Sequence, residues 1–258
     1  MNNKENSIHE FNVQTIVKYF ADCPRQGPGG PEMTKKALSF IKGLNKDSVI
    51  ADLGCGAGTQ TKVLAENTPA GHIIASDLAE LFIERVNSLI KQLGMNDRVK
   101  GVVESMDSLS FERELLDLLW CEGAIYNIGF EKGLEYWKQF IKPGGYIAVS
   151  EAVWLTDERP EEIQNFWNNS YPDIDTITNR LAQVQKAGYV PVASFVYPEE
   201  CWIDNYHAPQ EPVMEQFLKD NAGSKEAEGF IGFQKLEAEM YRKYKDYYGY
   251  VFFIGKKI

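Results

Sequence analysis

The stretch "VIADLGCGAGTQT" limits the chain more than any other. A short apolar run ends on Asp52, then Gly54, Gly56 and Gly58 alternate, and a helix-forming sequence begins near Thr59. Glycines at that spacing let the backbone turn tightly and let a ligand lie against it with no Cβ in the way. The helix that follows offers unpaired N–H groups and a partial positive charge to a carboxylate or phosphate. A strand, a glycine turn and a helix open a parallel sheet whose ligands sit at the carboxyl ends of the strands.

The rest of the chain agrees. "SVIADL", "GHIIASD", "RVKGVV", "LLDLLWC" and "GGYIAVSEAV" read as five apolar strands with helices between them, through Leu64, over residues 79–93 and over 129–141. Apolar strands alternating with amphipathic helices predict a parallel sheet covered on both faces, joined by right-handed crossovers. Past Trp154 the rhythm loosens into two helices joined through Tyr171 and Pro172, then a sixth strand, "VPVASFVYP". Helices over 209–221 and 225–244 follow, and "YYGYVFFIG" closes a seven-stranded sheet. The helix over 225–244 places Phe230, Phe233, Leu236, Glu237 and Met240 along one side, an apolar stripe that is real but imperfect.

Upstream, residues 8–20 read as an amphipathic helix, and a second runs over 31–42 with Pro31 at its first position and Gly43 at its end. Between them lies "PRQGPGGPE", three glycines and three prolines in nine residues. No repeat interrupts the pattern, so one domain is expected over 1–258, comprising N-terminal helices and loop (1–46), a cofactor-binding core (47–152) and substrate-side helices and final strands (153–258).

Composition narrows the function classes. With 27 basic and 37 acidic residues the formal charge is −10, which repels nucleic-acid phosphates. No apolar run approaches the roughly 20 residues of a membrane helix, and the opening "MNNKENSIHEF" lacks a signal-peptide layout, so cytoplasm is the expected location. Cys23, Cys55, Cys121 and Cys201 are far apart, as are His9, His72 and His207, so neither a disulfide framework nor a metal site is expected.

Three details support a nucleotide site at the glycine turn, and the first two set it apart from a dinucleotide fingerprint. Thr59 stands where such a fingerprint wants its last glycine, and Asp52 precedes the glycines. Asp77 ends the next strand, where a carboxylate can accept hydrogen bonds from both hydroxyls of a ribose. On "DLGCGAG" and "ASDLAE", over residues 48–151, the sequence resembles the class I S-adenosylmethionine-dependent methyltransferases. The resemblance implies an α/β, Rossmann-like doubly wound sheet in the order 3-2-1-4-5-7-6, its last strand antiparallel. It implies that Asp77 binds the ribose, that Leu78 lies on the adenine, and that the turn from Asp52 through Gly54, Gly56 and Gly58 lies under the methionine part. Ser105 and Met106 in "ESMDSLS" stand where members often carry Asp-Ala, so the adenine amino group loses its usual carboxylate.

The reaction so implied is methyl transfer from S-adenosylmethionine to a small molecule, leaving S-adenosylhomocysteine. A nicotinamide-dependent oxidoreductase and a non-catalytic cofactor-binding module are the alternatives. In such folds the segment after the fourth strand faces the methyl group. Here "WCEGAIYNIGF" lacks the Asn/Asp-Pro-Pro-aromatic signature of members that methylate nucleobase or amide nitrogens. Glu122 can orient substrate, accept a proton or touch the cofactor, or else cap a helix. Tyr126 and Trp120 can line the pocket or belong to the core. Trp154, Trp202, Tyr206 and His207 fall in regions that cap the pocket in relatives, and His207 has the ordinary pKa of a base or is a surface residue. "RQGPG" is similar to a run in a bacterial subgroup of these enzymes. It reads as part of an N-terminal lid, with Gly27 allowing close approach and Gln26 or Arg25 hydrogen-bonding the cofactor or substrate.

Overall fold

The computed structural model describes residues 7–258, so the reading of residues 1–6 lies outside the described residues. The strands are β1 (Val49–Leu53), β2 (His72–Asp77), β3 (Val99–Val103), β4 (Leu116–Glu122), β5 (Ile141–Trp154), β6 (Asp175–Thr176), β7 (Tyr189–Val196) and β8 (Tyr248–Lys257). The helices are α1 (Val13–Ala21), α2 (Pro31–Ser39), α3 (Thr59–Asn67), α4 (Glu80–Gln92), α5 (Phe130–Trp137), α6 (Glu161–Ser170), α7 (Ile177–Lys186), α8 (Glu200–Trp202), α9 (Ala208–Asp220) and α10 (Lys225–Tyr244).

The sheet runs β3-β2-β1-β4-β5-β8-β7. Strands β1 to β5 pair in parallel, while β8 lies antiparallel between β5 and β7. With the two-residue β6 set aside, this is the expected order with its reversed last strand. Strand β6 was not foreseen. It pairs with the end of β5, Val153 against Asp175 and Trp154 against Thr176, past the point where β4 stops. A two-residue strand carries no alternating pattern to be read.

Alternation assigns successive strand residues to opposite faces. Ile50, Leu118, Trp120, Ala148 and Phe252 belong to one buried cluster, which continues into Tyr19 of α1, Leu64 of α3, Val86 of α4 and Phe230 of α10. Their neighbours Ala51, Leu119, Cys121, Val149 and Phe253 belong to the other, with Phe130, Leu134 and Trp137 of α5 and Val184 of α7. Burying both faces is what the continuous apolar runs demanded. It leaves the strand ends as the place for chemistry.

Two helical expectations shift, and one feature was not foreseen. Residues 8–20 are not one helix: a 3₁₀ turn at Ile8–Glu10 stops, and α1 restarts after Asn12, whose side chain accepts the N–H of Gln14 at 2.8 Å. Helix α2 ends at Ser39 rather than at Gly43, because the Ser39 hydroxyl takes the Lys36 carbonyl and Lys42 takes that of Ser39. Between α8 and α9 the helix widens into a π-turn at Ile203–His207, just ahead of Pro209 and Pro212, two residues with no N–H to give the ladder.

Candidate active site

The turn after β1 is built by its glycines. Gly54, Gly56 and Gly58 have φ of 66°, 53° and 87°, the left-handed region that other residues avoid. A Cβ on Gly54 would lie 2.5 Å from the Ala124 side chain, and one on Gly56 2.5 Å from Gln26 Oε1. These two glycines therefore admit the loop after β4 and the N-terminal loop. Gly58 does something else: it caps α3, and its missing Cβ would meet Val86 of α4 at 3.0 Å. Asp77, at the end of β2, accepts the Gly56 N–H at 3.0 Å and the Ala79 N–H at 2.9 Å, so one carboxylate ties the turn to the start of α4. Burial holds its pKa above the usual carboxylate range, against the pull of those backbone N–H groups.

"PRQGPGGPE" is stitched to the sheet rather than draped over it. Gln26 accepts the Ala57 N–H at 3.0 Å and donates to the Phe20 and Cys23 carbonyls. Arg25 reaches Glu122, at the end of β4, in an ion pair of 2.9 Å, where the carboxylate side chain is 1% exposed. Thr34 and Trp120 fill the other Glu122 oxygen at 2.9 and 3.3 Å. The Thr59 hydroxyl donates to the Pro24 carbonyl, and Gly29 bonds to Cys201 and Asn205. The expectation that Gln26 and Arg25 are spent on a ligand needs correcting. Both are anchors, and one donor is left without a protein partner: the buried Arg25 Nη1. Both oxygens of Glu122 are likewise engaged by protein groups.

Three cavities follow one another along the strand ends. The outer one, about 740 Å³, is lined by Gly54, Asp77, Leu78, Ser105 and Met106 and walled by α1. A middle one of about 200 Å³ shares Gly54, Asp77 and Ala124 with it and adds Arg25, Gln26, Gly27, Gly56 and Glu122. An inner one of about 110 Å³ shares Gln26, Gly27, Gly123 and Tyr126 with the middle one. The loop and Tyr126 thus separate two chambers and belong to both. Leu78 is 71% exposed, an apolar side chain left bare in the outer cavity.

The inner cavity is aromatic and acidic, and most of its residues went unnoticed in the sequence. Phe166 and Trp167 of α6, Tyr171, Tyr206, Tyr250 of β8 and Phe233 of α10 surround two carboxyl groups, Glu151 and Glu237. Burial pushes both up to about 7. The Glu151 carboxylate accepts the Tyr171 hydroxyl at 3.2 Å, and Arg180 donates to that same hydroxyl at 3.0 Å. Glu237 is drawn back down only by a hydrogen bond from Tyr206. Its signal in the sequence was the flaw in the α10 stripe.

Several expected residues are placed elsewhere. Asp52 is fully buried beneath the turn, outside the lining of the three cavities; its Oδ2 takes the Thr61 hydroxyl at 2.6 Å and pins α3 to β1. Burial pushes its pKa up to about 7. Gly58 faces α4, as described. His207 is 4% exposed, packed among the rings of Trp202, Tyr206 and Tyr241, and borders a separate cavity with Glu211 and Arg242. Burial lowers its pKa to about 4, which suits a neutral core ring and not a base at the site. Trp154 and Trp202 are core residues, and Trp120 is buried on Glu122. Ser105 bonds Asp107 at 2.6 Å, and the Met106 carbonyl is taken by the Trp137 indole at 2.7 Å. The four cysteines are buried free thiols.

Comparison with known proteins agrees with this geometry. Residues 50–145 match the family model for the "Methyltransferase domain". The chain is similar to the uncharacterized protein YjhP of Escherichia coli, 28% identical over 178 residues, 67% of this chain and 69% of that one. It is 24% identical over 189 residues to malonyl-[acyl-carrier protein] O-methyltransferase 2 of Coxiella burnetii, covering 70% and 69% of the two chains. Among solved structures, a SAM-dependent methyltransferase of Geobacter sulfurreducens in complex with S-adenosylhomocysteine shares the fold, with a TM-score of 0.83 at 20% identity over 96% of this chain and 99% of that one. Residues 50–145 thus match a methyltransferase domain, and the sheet order is consistent with the class I S-adenosylmethionine-dependent methyltransferase fold.

Proposed function

We propose that the chain transfers the methyl group of S-adenosylmethionine to a small molecule held in the inner cavity. The observation that carries this reading is the row of three chambers with shared walls, Asp77 at the first junction and Tyr126 at the second. The residues present suit the donor. Gly54 lines the outer and middle cavities and Gly56 the middle one, and Leu78 offers an apolar face for adenine. Asp77 has the acceptors for a ribose diol. Arg25 Nη1, buried and unpartnered, suits the methionine carboxylate.

The donor supplies an electrophilic methyl carbon on a sulfonium. What the protein contributes is alignment of nucleophile, carbon and sulfur, worth roughly 7–11 kcal/mol when the geometry is held. Fixed walls serve that alignment. Gln26 locks the loop to the turn, and the Arg25–Glu122 pair locks it to β4. No shared base is required of the chain unless the acceptor must lose a proton. An inner chamber of about 110 Å³ behind a stitched loop favours a small acceptor over a macromolecule.

The test is incubation with isotopically labelled donor and a pool of cellular small molecules, followed by mass spectrometry of labelled products. Labelled product and matching S-adenosylhomocysteine are expected. Tight donor binding by calorimetry with no S-adenosylhomocysteine formed from any fraction would leave only a binding module.

A further inference from the structure

The contents of the inner cavity say what kind of molecule it takes. Eight aromatic residues line it, and the charged groups among its lining residues, Glu151 and Glu237, are both acidic. The two carboxyls are not equivalent. Glu151 has the Arg180 guanidinium behind it, relayed through the Tyr171 hydroxyl. Glu237 lies in the middle of α10 and, among the described residues, has no ion-pair partner. The Tyr206 hydroxyl, a neutral group, is what draws the Glu237 pKa back down. A partly buried carboxylate without a counter-charge is costly, and a cation entering beside it removes that cost.

A second observation points the same way from a different residue. Trp167 lines the cavity, is 7% exposed, and has its indole N–H buried without a partner. The cavity thus holds a carboxylate lacking a cation and a donor lacking an acceptor, both left for something that the protein does not supply. Aromatic faces add attraction for a positive charge through their quadrupoles, and they repel none of a ligand's apolar carbons. An anionic acceptor meets the opposite conditions, since no cation is among the residues that line this chamber.

We propose that the methyl acceptor carries a cationic nitrogen, an alkyl- or arylalkyl-ammonium small molecule, held in the inner cavity by Glu237 and the rings of Tyr126, Tyr171, Tyr206, Tyr250 and Trp167. The proposal rests on the reading of the outer and middle chambers as the donor site, because that reading makes the inner chamber the acceptor's. The acidic surface, at a formal charge of −10, favours the approach of such a molecule as well.

Three probes of equal length separate charge from shape: n-butylammonium, n-butanol and n-butyrate, titrated by saturation-transfer NMR into protein loaded with S-adenosylhomocysteine. Butylammonium is expected to bind at least about 10-fold more tightly than butanol, with butyrate weakest. In Glu237→Gln, which keeps the shape and removes the charge, the preference for the cation should shrink to within about 2-fold. Tyr206→Phe, which keeps the ring and removes the partner hydroxyl, should keep the cation preference. Equal affinity for butylammonium and butanol in the wild type overturns the proposal whatever the variants do, as does an unchanged preference in Glu237→Gln. Calorimetry with S-adenosylhomocysteine alone, on the wild type, tests the donor site separately. No heat there sinks the donor reading, whereas normal donor binding with no cation preference sinks only this one.

Discussion

The outer and inner cavities stand at the two ends of one trough and are made of opposite materials. The outer chamber is large and open, and most of its lining comes from the turns after β1, β2, β3 and β4, within residues 54–128. The inner chamber is small, and its walls come from positions as far apart as Ile8 and Tyr250. One is a product of backbone geometry, glycines in the left-handed region and a carboxylate holding N–H groups. The other is a product of side chains meeting late in the fold. The difference suits a shared donor and a private acceptor: a donor site fixed by the supersecondary unit, and an acceptor site free to be set by distant helices.

The partition between them is the most sensitive place to break this contrast. Arg25→Ala leaves the Glu122 carboxylate, 1% exposed, with two neutral donors and no cation. The cost should be about 3–5 kcal/mol of stability, measured by urea unfolding, because a buried charge loses its partner. The exposed pair between Lys243 and Glu162 is the control, and removing that lysine should leave the urea midpoint nearly unchanged. Replacing Arg25 and Glu122 together by methionine should recover most of the loss. A cost under about 1 kcal/mol for Arg25→Ala would mean that the wall stands without this pair.

Next in size is the outer junction. Asp77→Ala should weaken S-adenosylhomocysteine binding about 100-fold by calorimetry, since hydrogen bonds to a charged group contribute about 1.5–3 kcal/mol each. Asp77 also holds the Gly56 and Ala79 N–H groups, so the same variant should lose some stability. Asp77→Asn should weaken binding less. If the alanine variant binds the donor as the wild type does, Asp77 serves only the turn.

How much of this was legible follows the same division. The glycine turn and Asp77 fall within one strand–turn–helix–strand unit, where spacing along the chain is spacing in space, and the sheet order followed from the same pattern. The loop was recognisable as more than a linker, but its partners were not. Gln26 meets Ala57 31 residues on and Arg25 meets Glu122 97 residues on, and no local pattern encodes such distances. His207 was misplaced because a histidine in a polar-looking segment gives no sign that Trp202 and Tyr241 close over it. Glu237 left a trace as the one acidic residue in the α10 stripe, and Glu151 left less, since a carboxylate ending an apolar strand is ordinary.

A pH series sharpens the contrast from the side of stability. Burial raises Asp52, Glu151 and Glu237 to about 7, while unfolding returns them to the ordinary range near 4. The folded form therefore holds protons that the unfolded form releases between those values. The stability these groups contribute is full below about pH 4 and is lost as pH rises through about 7. The melting temperature should fall by several degrees between pH 5.5 and 8. Asp52→Asn, which keeps an acceptor for Thr61, should flatten that slope and gain a few degrees at pH 8, at about 2–4 °C for each kcal/mol. A melting temperature that rises over this window would contradict the three buried carboxyls.

The smallest effect belongs to the residue that most invites over-reading. Ser105 stands where the resemblance to the methyltransferases implies an aspartate, and a hydroxyl there suggests a contact with the adenine amino group. The Ser105 side chain is instead engaged with Asp107 at 2.6 Å, two residues on, at the rim of the widest chamber. A local hydrogen bond at a partly exposed position contributes little, because water replaces it when it is cut. Ser105→Ala should therefore change the S-adenosylhomocysteine dissociation constant by less than about 2-fold, leaving the bare Leu78 face and Asp77 to hold the nucleoside. A loss of about 10-fold or more would show that the hydroxyl turns from Asp107 to the adenine on binding, and that the outer chamber too depends on a side chain that spacing alone does not reveal.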